Sequence, residues 1–287
     1  MRADLHLHST YSDGSLPPSE ILSLASARGL SLVGITDHDT VEHFPEALAE
    51  SAKNSVKVLP GVEFSTILQD RELHILGYAV DHRRPELRSH LEKVRSRRLK
   101  RARVILERLA GRNVHIPAAE LDSYPADRTI GRMVIARLMY HYGYVRNVDE
   151  AFDNYLGSNA PAFVAYKPAD AREVLELIRR SGGVSVLAHP SREDAEKALP
   201  HLHEAGLDGI ETWRPILNRS LAALIRDKAQ LFGLVQTGGS DWHYDGGRLS
   251  LGAFHVNRAR LAPFLELLGE KAGFLLEPEN PWAPSGL

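Results

Sequence analysis

The chain has 287 residues, 43% of them hydrophobic and 25% charged, with a net charge of −2 when His is neutral and no Cys. That composition supports a full hydrophobic core and excludes disulfides, thiolate nucleophiles and Cys zinc sites, and it offers no global basic field for nucleic acid. The chain shows no signal-peptide pattern and no unbroken apolar run of about 18 residues, so a cytoplasmic location without a membrane partner is expected.

Short apolar runs alternate with helical patterns along the chain. A strand is expected over 2–7, then a helix over 18–28, entered through "LPPSEIL" and closed by Gly29. A strand over 31–36, a helix over 44–53 and strands over 56–62 and 73–78 follow. From about residue 83 to 166 the rhythm changes to helix alone. Residues 83–112 read as one long helix with twelve Lys or Arg against three Glu, and "TIGRMVIARLMYHYG" and "VDEAFDNYLG" read as two more. Alternation then resumes, with helices over 169–180, 192–205 and 219–232 and strands over 183–188, 209–212 and 234–237. The tail "EPENPWAPSGL" reads as a surface segment. Strands alternating with helices imply βαβ units and a parallel sheet, and the absence of a dinucleotide-binding Gly motif favours a barrel. The expected divisions are a first barrel part over 1–84, a helical insertion over 85–166 and a second barrel part over 167–287.

The polar residues concentrate at strand ends. In "DLHLHSTYSDG" His6 and His8 are two apart, so in a strand they share one face about 6.5–7 Å apart, with Leu5 and Leu7 packing the other way. An isolated pair of this kind is more often structural. Here, however, "VGITDHDT" delivers Asp37, His38 and Asp39, "LPGVEFS" Glu63, "GVSVLAHP" His189 and "VQTGGSDWH" Asp241 and His243, while "RELHILGY" places His74 within a strand. Ligand-type residues at the C-terminal ends of successive barrel strands point to a metal-dependent active site.

These motifs, in this order over residues 4–243, resemble those of the PHP (polymerase and histidinol phosphatase) superfamily of metal-dependent phosphoesterases. The resemblance implies an α/β fold, a distorted seven-stranded β/α barrel, here with a helical insertion. It also implies a three-metal cluster. His6, His8 and Asp241 would hold the first ion, Glu63 would bridge the first and second, His74 and His189 would complete the second, and Asp13, His38 and His243 would hold the third. Asp37 and Asp39 would orient ligands, and Glu211 is given no ligand role. Three carboxylates against three divalent ions leave a charge of about +3, which favours a metal-bound hydroxide as nucleophile and draws in an anion. Mixed nitrogen and oxygen ligation suits Mn, taken first, with Fe or Zn as alternatives. The catalytic set is then Asp13, His38, Glu63, His189, Asp241 and His243.

An insertion after the fourth motif resembles one branch of that superfamily, which acts on 3',5'-bisphosphate nucleosides or the 5' ends of short RNA. The expected activity is therefore hydrolysis of nucleotide phosphate esters, 5'-to-3' exoribonuclease action on short RNA, or both. The substrate is the one partner expected, with no obligate protein partner. Arg98, Arg101, Arg132 and Lys167 are candidates for gripping a second phosphate, because the planar Arg fork binds phosphate oxygens in pairs. Tyr124, Tyr140, Tyr144, Phe163 and Tyr166 are candidates for stacking a base. The alternatives are a small-metabolite phosphatase of the histidinol-phosphate type, a metal-stabilised non-catalytic interaction module, and, more weakly, a deaminase or amidohydrolase.

Overall fold

The computed structural model describes all residues except 216–217, 246–248 and 274–287, so the tail read above lies outside the described residues. Two compact units are present, one of residues Met1–Arg88 with the described residues from Pro168 on, the other Ser89–Lys167.

The first unit is built on one sheet with strand order β8-β7-β6-β4-β3-β2-β1-β9. Its strands are β1 (Arg2–Leu7), β2 (Leu32–Ile35), β3 (Lys57–Leu68), β4 (Arg71–Tyr78), β5 (Ala169–Asp170), β6 (Val184–Leu187), β7 (Gly209–Trp213), β8 (Val235–Gly238) and β9 (Val256–Asn257). Seven of these have four residues or more, while β5 and β9 are two-residue additions. A parallel bridge between Leu7 and Trp242 brings the segment after β8 back to β1, so the sheet nearly closes as a barrel. Helices α1 (Pro18–Ala27), α2 (Phe44–Lys53), α7 (Ala171–Arg180), α8 (Leu199–Glu204), α9 (Arg219–Leu231) and α10 (Arg258–Ala272) connect and cover it.

The sheet is not all parallel. β3 and β4 form an antiparallel hairpin, and β4 also pairs antiparallel with β6. The cause is local: Gln69 and Asp70 both take positive φ, 48° and 62°, the two-residue turn that matches strand twist and leaves no room for a crossover helix. β3 therefore runs to Leu68, well past the expected end at residue 62. Its first half pairs parallel with β2 and its second half with β4.

Other departures also have local causes. The helix expected from 169 starts at Ala171, because Ala169 and Asp170 pair with β3 and the Asp170 side chain accepts from the Arg172 N–H as N-cap. The helix expected over 192–205 contains a π-helical turn, Asp194–Ala198, before α8, where Pro200 lacks the N–H that would continue the ladder. No element was expected over α10, whose interior Pro263 reads as a break. Leu261, Phe264 and Leu268 of α10 are nevertheless buried in one core cluster with Leu5, Leu32, Leu59 and Tyr78. A register shift between Asp4 and Leu7 puts an extra residue into β1. Leu5 consequently joins the α10 cluster, while Leu7 joins a second one with Ile21, Leu22 and Ala47 of α1 and α2.

The second unit is helical, with most of α3 (Pro85–Ala110), then α4 (Ala119–Asp122), α5 (Arg132–His141), α6 (Val148–Ala151) and a π-helical turn, Phe152–Leu156. Leu91, Val94, Ala102, Ile105 and Leu109 line one buried stripe of α3 at helical spacing. Arg98 falls on that same stripe and is only 9% exposed, so it is not part of a solvated face. Among the described residues, no helix is long and apolar enough to cross a membrane.

Candidate metal centre

One end of the first unit gathers all nine residues expected as ligands. His6 comes from β1 and His8 from just past it, and Asp13 lies in the following turn. His38 follows β2, Glu63 lies within β3 and His74 within β4. His189 follows β6, and Asp241 and His243 follow β8. The expectation of strand-end ligands is corrected at Glu63, which is mid-strand because β3 continues into the hairpin. That register sets Ser65 opposite His74 and brings the His74 ring to the Glu63 carboxylate.

Glu63 is the hub. Its Oε2 lies 3.2 Å from His6 Nε2, 3.1 Å from His8 Nε2 and 3.2 Å from His38 Nδ1. Its Oε1 lies 2.7 Å from His74 Nδ1 and 2.9 Å from His189 Nε2. Asp241 Oδ1 stands 3.5 Å from His6 Nε2 and 3.2 Å from His8 Nε2. Asp13 lies 3.6 Å from His8, 3.8 Å from His38 and 3.4 Å from His243.

Three groups each offer ligand atoms lying within 4.8 Å of one another: His6, His8, Glu63 and Asp241; His8, Asp13, His38 and His243; and His38, Glu63 and His74. The first brings together the residues allotted to the first ion with the bridging Glu63, the second adds His8 to those allotted to the third ion, and the third carries His38 in the place expected for His189. His189 instead meets Glu63 and, at 3.2 Å, His74 Nδ1.

Burial grades across the centre. The side chains of His6, His8 and Glu63 are fully buried, whereas those of Asp241, His74 and His189 are 40%, 32% and 29% exposed. The centre therefore has a closed floor and one side open to solvent.

The donor set fits divalent cations. His8 Nε2 and His38 Nδ1 are buried and make no hydrogen bond, although both lie beside Glu63 Oε2. Three ring nitrogens crowd Glu63 Oε2, and only that of His6 makes a hydrogen bond to it; the other two are arranged to share a cation, and the N/O set lacks the sulfur of structural zinc sites.

The electrostatics agree. Burial opposes a proton on His6, yet Glu63, Glu211 and Asp241 outweigh it and hold its pKa well above the ordinary value. His8 is likewise pushed up to about 10, against burial, by Asp241 and Glu63. Burial lowers His38 to about 4. For Glu63, Asp13 and Asp241 burial favours protonation, but the surrounding imidazoles prevail and keep all three pKa values low.

A supporting ring surrounds these groups. Asp37 accepts from the Ser9 N–H at 2.8 Å and from the Ser9 and Ser12 hydroxyls at 2.5 and 2.6 Å, which fixes the turn between His8 and Asp13. Asp39 donates its N–H to the Glu63 carbonyl and accepts from the Ser65 N–H, clamping β3 at Glu63 and just past it. Gly239 approaches so closely that a Cβ there would sit 2.3 Å from His6 Cβ, and one at Gly14 would sit 2.0 Å from the His8 carbonyl oxygen.

Sequence reading missed Asp4 and Arg214 in this ring, and it named Glu211 with no ligand role. Glu211 holds His6 Nδ1 through Oε1 at 3.2 Å and the His189 N–H through Oε2 at 2.7 Å. It thereby ties two expected ligands together, one of them in the left-handed region (φ 28°). Asp4 accepts from the Ser240 N–H at 2.8 Å, and burial raises its pKa to about 7. Its position two before His6 in "DLHLH" is the signal that could have found it. Arg214 follows β7 directly and donates to the Pro190 carbonyl at 3.0 Å.

The arginines expected to bind substrate belong to the second unit. Arg98 stacks on Tyr166, Arg101 on Phe163 and Tyr166, and Arg132 on Phe152 and Phe163, each 5.5–5.8 Å from a ring centre. Arg101 Nε also donates to the Val164 carbonyl and Arg132 to that of Leu156. Lys167 is exposed. Of the residues read as base-stacking candidates, Tyr124 and Tyr144 pack against the core of this unit, and Tyr140 is 58% exposed.

The family model for the PHP domain matches residues 4–188. This chain belongs to the PHP domain family. It is 33% identical over 257 residues to a 5'-3' exoribonuclease of Haemophilus influenzae, covering 87% of this chain and 92% of that one. It is 32% identical over 255 residues to a 3',5'-nucleoside bisphosphate phosphatase of Chromobacterium violaceum, covering 85% and 89%. Among solved structures, a candidate metal-dependent phosphoesterase from Bifidobacterium adolescentis superposes with a TM-score of 0.85 at 27% identity, over 92% of this chain and 96% of that one.

Proposed function

We propose that this PHP domain is a metal-dependent phosphoric ester hydrolase of nucleotides, converting 3',5'-bisphosphate nucleosides to 5'-monophosphates, removing 5' nucleotides from short RNA, or both. The observation that carries the reading is Glu63, a fully buried carboxylate within 3.2 Å of five imidazole nitrogens. Similarity to an exoribonuclease and to a bisphosphate phosphatase supports the substrate class.

The proposed ligands are His6, His8 and Asp241 for one ion, His74 and His189 for a second, with Glu63 between them, and Asp13, His38 and His243 for a third. The ions are taken as Mn, with Fe or Zn as alternatives. Divalent ions, when bound, polarise a phosphoryl oxygen and lower the pKa of their water toward ~7, supplying a nucleophile without Ser or Cys. The chain's residues do the remainder. His6, His8 and Glu63 form the dry floor, and the ester enters on the solvent-facing side marked by Asp241, His74 and His189. Arg98, Arg101 and Arg132, with Lys167, are proposed to receive the second phosphate of the substrate. Support comes from the shared aromatic faces of Phe163 and Tyr166, which gather the three guanidinium groups in one place.

The test is phosphate release by metal-reconstituted protein on nucleoside 3',5'-bisphosphates, short RNA with and without a 5'-phosphate, single-phosphate nucleotides and histidinol phosphate. A charge-assisted contact of ~1.5–3 kcal/mol predicts roughly tenfold to a hundredfold preference for the doubly phosphorylated substrate. Ala at Arg98, Arg101 or Arg132 should shrink that preference with metal content unchanged. Equal turnover of histidinol phosphate and of every nucleotide would overturn the nucleotide assignment.

A further inference from the structure

Arg214 stands in the first unit, one residue past the end of β7, the strand that carries Glu211. Its guanidinium is partly buried. Nη2 donates to the carbonyl of Pro190, the residue after His189. Its Nε is buried and meets no acceptor. Among the described residues, no carboxylate lies within ion-pair distance of it, although Glu211, Asp241 and Asp194 are near enough to favour its charge while burial opposes it.

This is an unusual condition for an arginine. Guanidinium groups carry five donors, stay charged, and are costly to bury without a paired anion. By contrast Arg192, three residues past His189, lies 3.3 Å from the Glu196 carboxylate and donates to Ser220. Arg214 leans instead on the diffuse negative charge of the metal centre. That charge is cancelled once cations occupy the centre, and Arg214 is then left beside a net positive cluster. A ligand that brings negative charge to the open side restores the balance and meets the idle donors.

We propose that Arg214 binds the phosphoryl group undergoing hydrolysis, as a contact separate from the second-phosphate arginines of the helical unit. Its ligand is a phosphate monoester or diester oxygen, and inorganic phosphate in the product complex. The proposal rests on the phosphoesterase reading above. The fork of Arg214 suits two phosphoryl oxygens or one oxygen and the Pro190 carbonyl together, which a Lys cannot reproduce.

The probe is inorganic phosphate, titrated calorimetrically into metal-reconstituted wild type, Arg214→Gln and Arg214→Lys, with metal content measured on each sample. Arg214→Gln should weaken phosphate binding about tenfold to a hundredfold and lower kcat/KM for a nucleotide substrate by a similar factor, with metal content at the wild-type level. Arg214→Lys keeps the charge and the size of the side chain, so it should fall between the two. Wild-type phosphate affinity in Arg214→Gln overturns the proposal. So does loss of metal in both variants, which would make Arg214 a prop for the His189 loop. A wild type that binds phosphate but hydrolyses no nucleotide would sink the phosphoesterase reading and leave the Arg214 contact standing.

Discussion

Replacing Glu211 by Gln removes one acceptor from a side chain that uses two. One oxygen of Glu211 accepts from His6 Nδ1–H, so that Nε2 is the ring nitrogen left to face the metal centre when a cation displaces its proton, and the other accepts from the backbone N–H of His189. A Gln amide has one acceptor oxygen and one NH2 group, so it can satisfy either partner but presents a donor to the other. The leftover N–H is fully buried, and an unsatisfied buried polar group costs ~1–3 kcal/mol. At ~1.4 kcal/mol per factor of ten, that is a loss of roughly fivefold to 150-fold in the metal affinity of the sites built on His6 and His189. Loss of an outer partner to a metal-bound His typically costs ~10–100-fold, in agreement. Competition with a chromophoric chelator would measure it, with successive ions resolved. The affinity of the group His8, Asp13, His38 and His243, which Glu211 does not touch, should change far less. Equal weakening of every ion would mean that Glu211 acts only by stabilising the fold. Unchanged affinity at all of them would refute the reasoning outright.

Glu63→Gln should be more damaging than any single imidazole replacement, because it withdraws the one buried charge that five imidazoles share; metal analysis should show the loss of more than one ion per chain. Gly239→Ala should mimic a ligand mutation without touching a ligand, lowering metal content and thermal stability together, since its Cβ would fall inside the contact distance of His6. Metal binding at pH 7 should release protons, detectable as a buffer-dependent calorimetric enthalpy, because His6, His8, His189 and His243 have raised pKa values in the metal-free fold. By the same sign, those imidazoles stabilise the metal-free fold fully below their unfolded pKa of ~6.5. That contribution fades as pH rises toward the folded values, about 10 for His8, so denaturant midpoints of metal-free protein should fall over that interval.

The fold was legible where period and punctuation agreed. β1, α1, α2 and α9 came out within a residue or two; in the three helices an apolar rhythm and a Pro, Gly or Asn boundary point the same way, and in β1 the alternation alone suffices. The hairpin of β3 and β4 was legible as two strands and illegible as a hairpin, since its turn is made by Gln69 and Asp70 in left-handed conformations without the Gly that usually announces them. α10 was hidden by Pro263, which costs a hydrogen bond that burial of Leu261, Phe264 and Leu268 evidently repays.

At the site, legibility followed charge density along the chain. His8, His38, His189, Asp241 and His243 stand in short runs just past apolar strands, where a histidine or aspartate has no packing reason to be, and His6 stands two residues before His8 within β1. Glu211 stands inside β7 between Ile210 and Thr212, and nothing about its neighbours in sequence distinguishes it from an edge-strand carboxylate. Its meaning comes from two partners 205 and 22 residues away, brought to it by the closure of the sheet. Arg214 is harder still, because what marks it is the lack of an ion-pair partner, a property that exists only in three dimensions. Sequence favoured the arginines of α3 because they are many. The structure gives Arg98, Arg101 and Arg132 aromatic faces to rest on, and gives Arg214 only a carbonyl and the field of a metal centre. A cation held with so little compensation is stabilised most by an anion that arrives after the metals have neutralised its neighbours, which puts phosphate recognition at Arg214 downstream of metal loading in the order of binding.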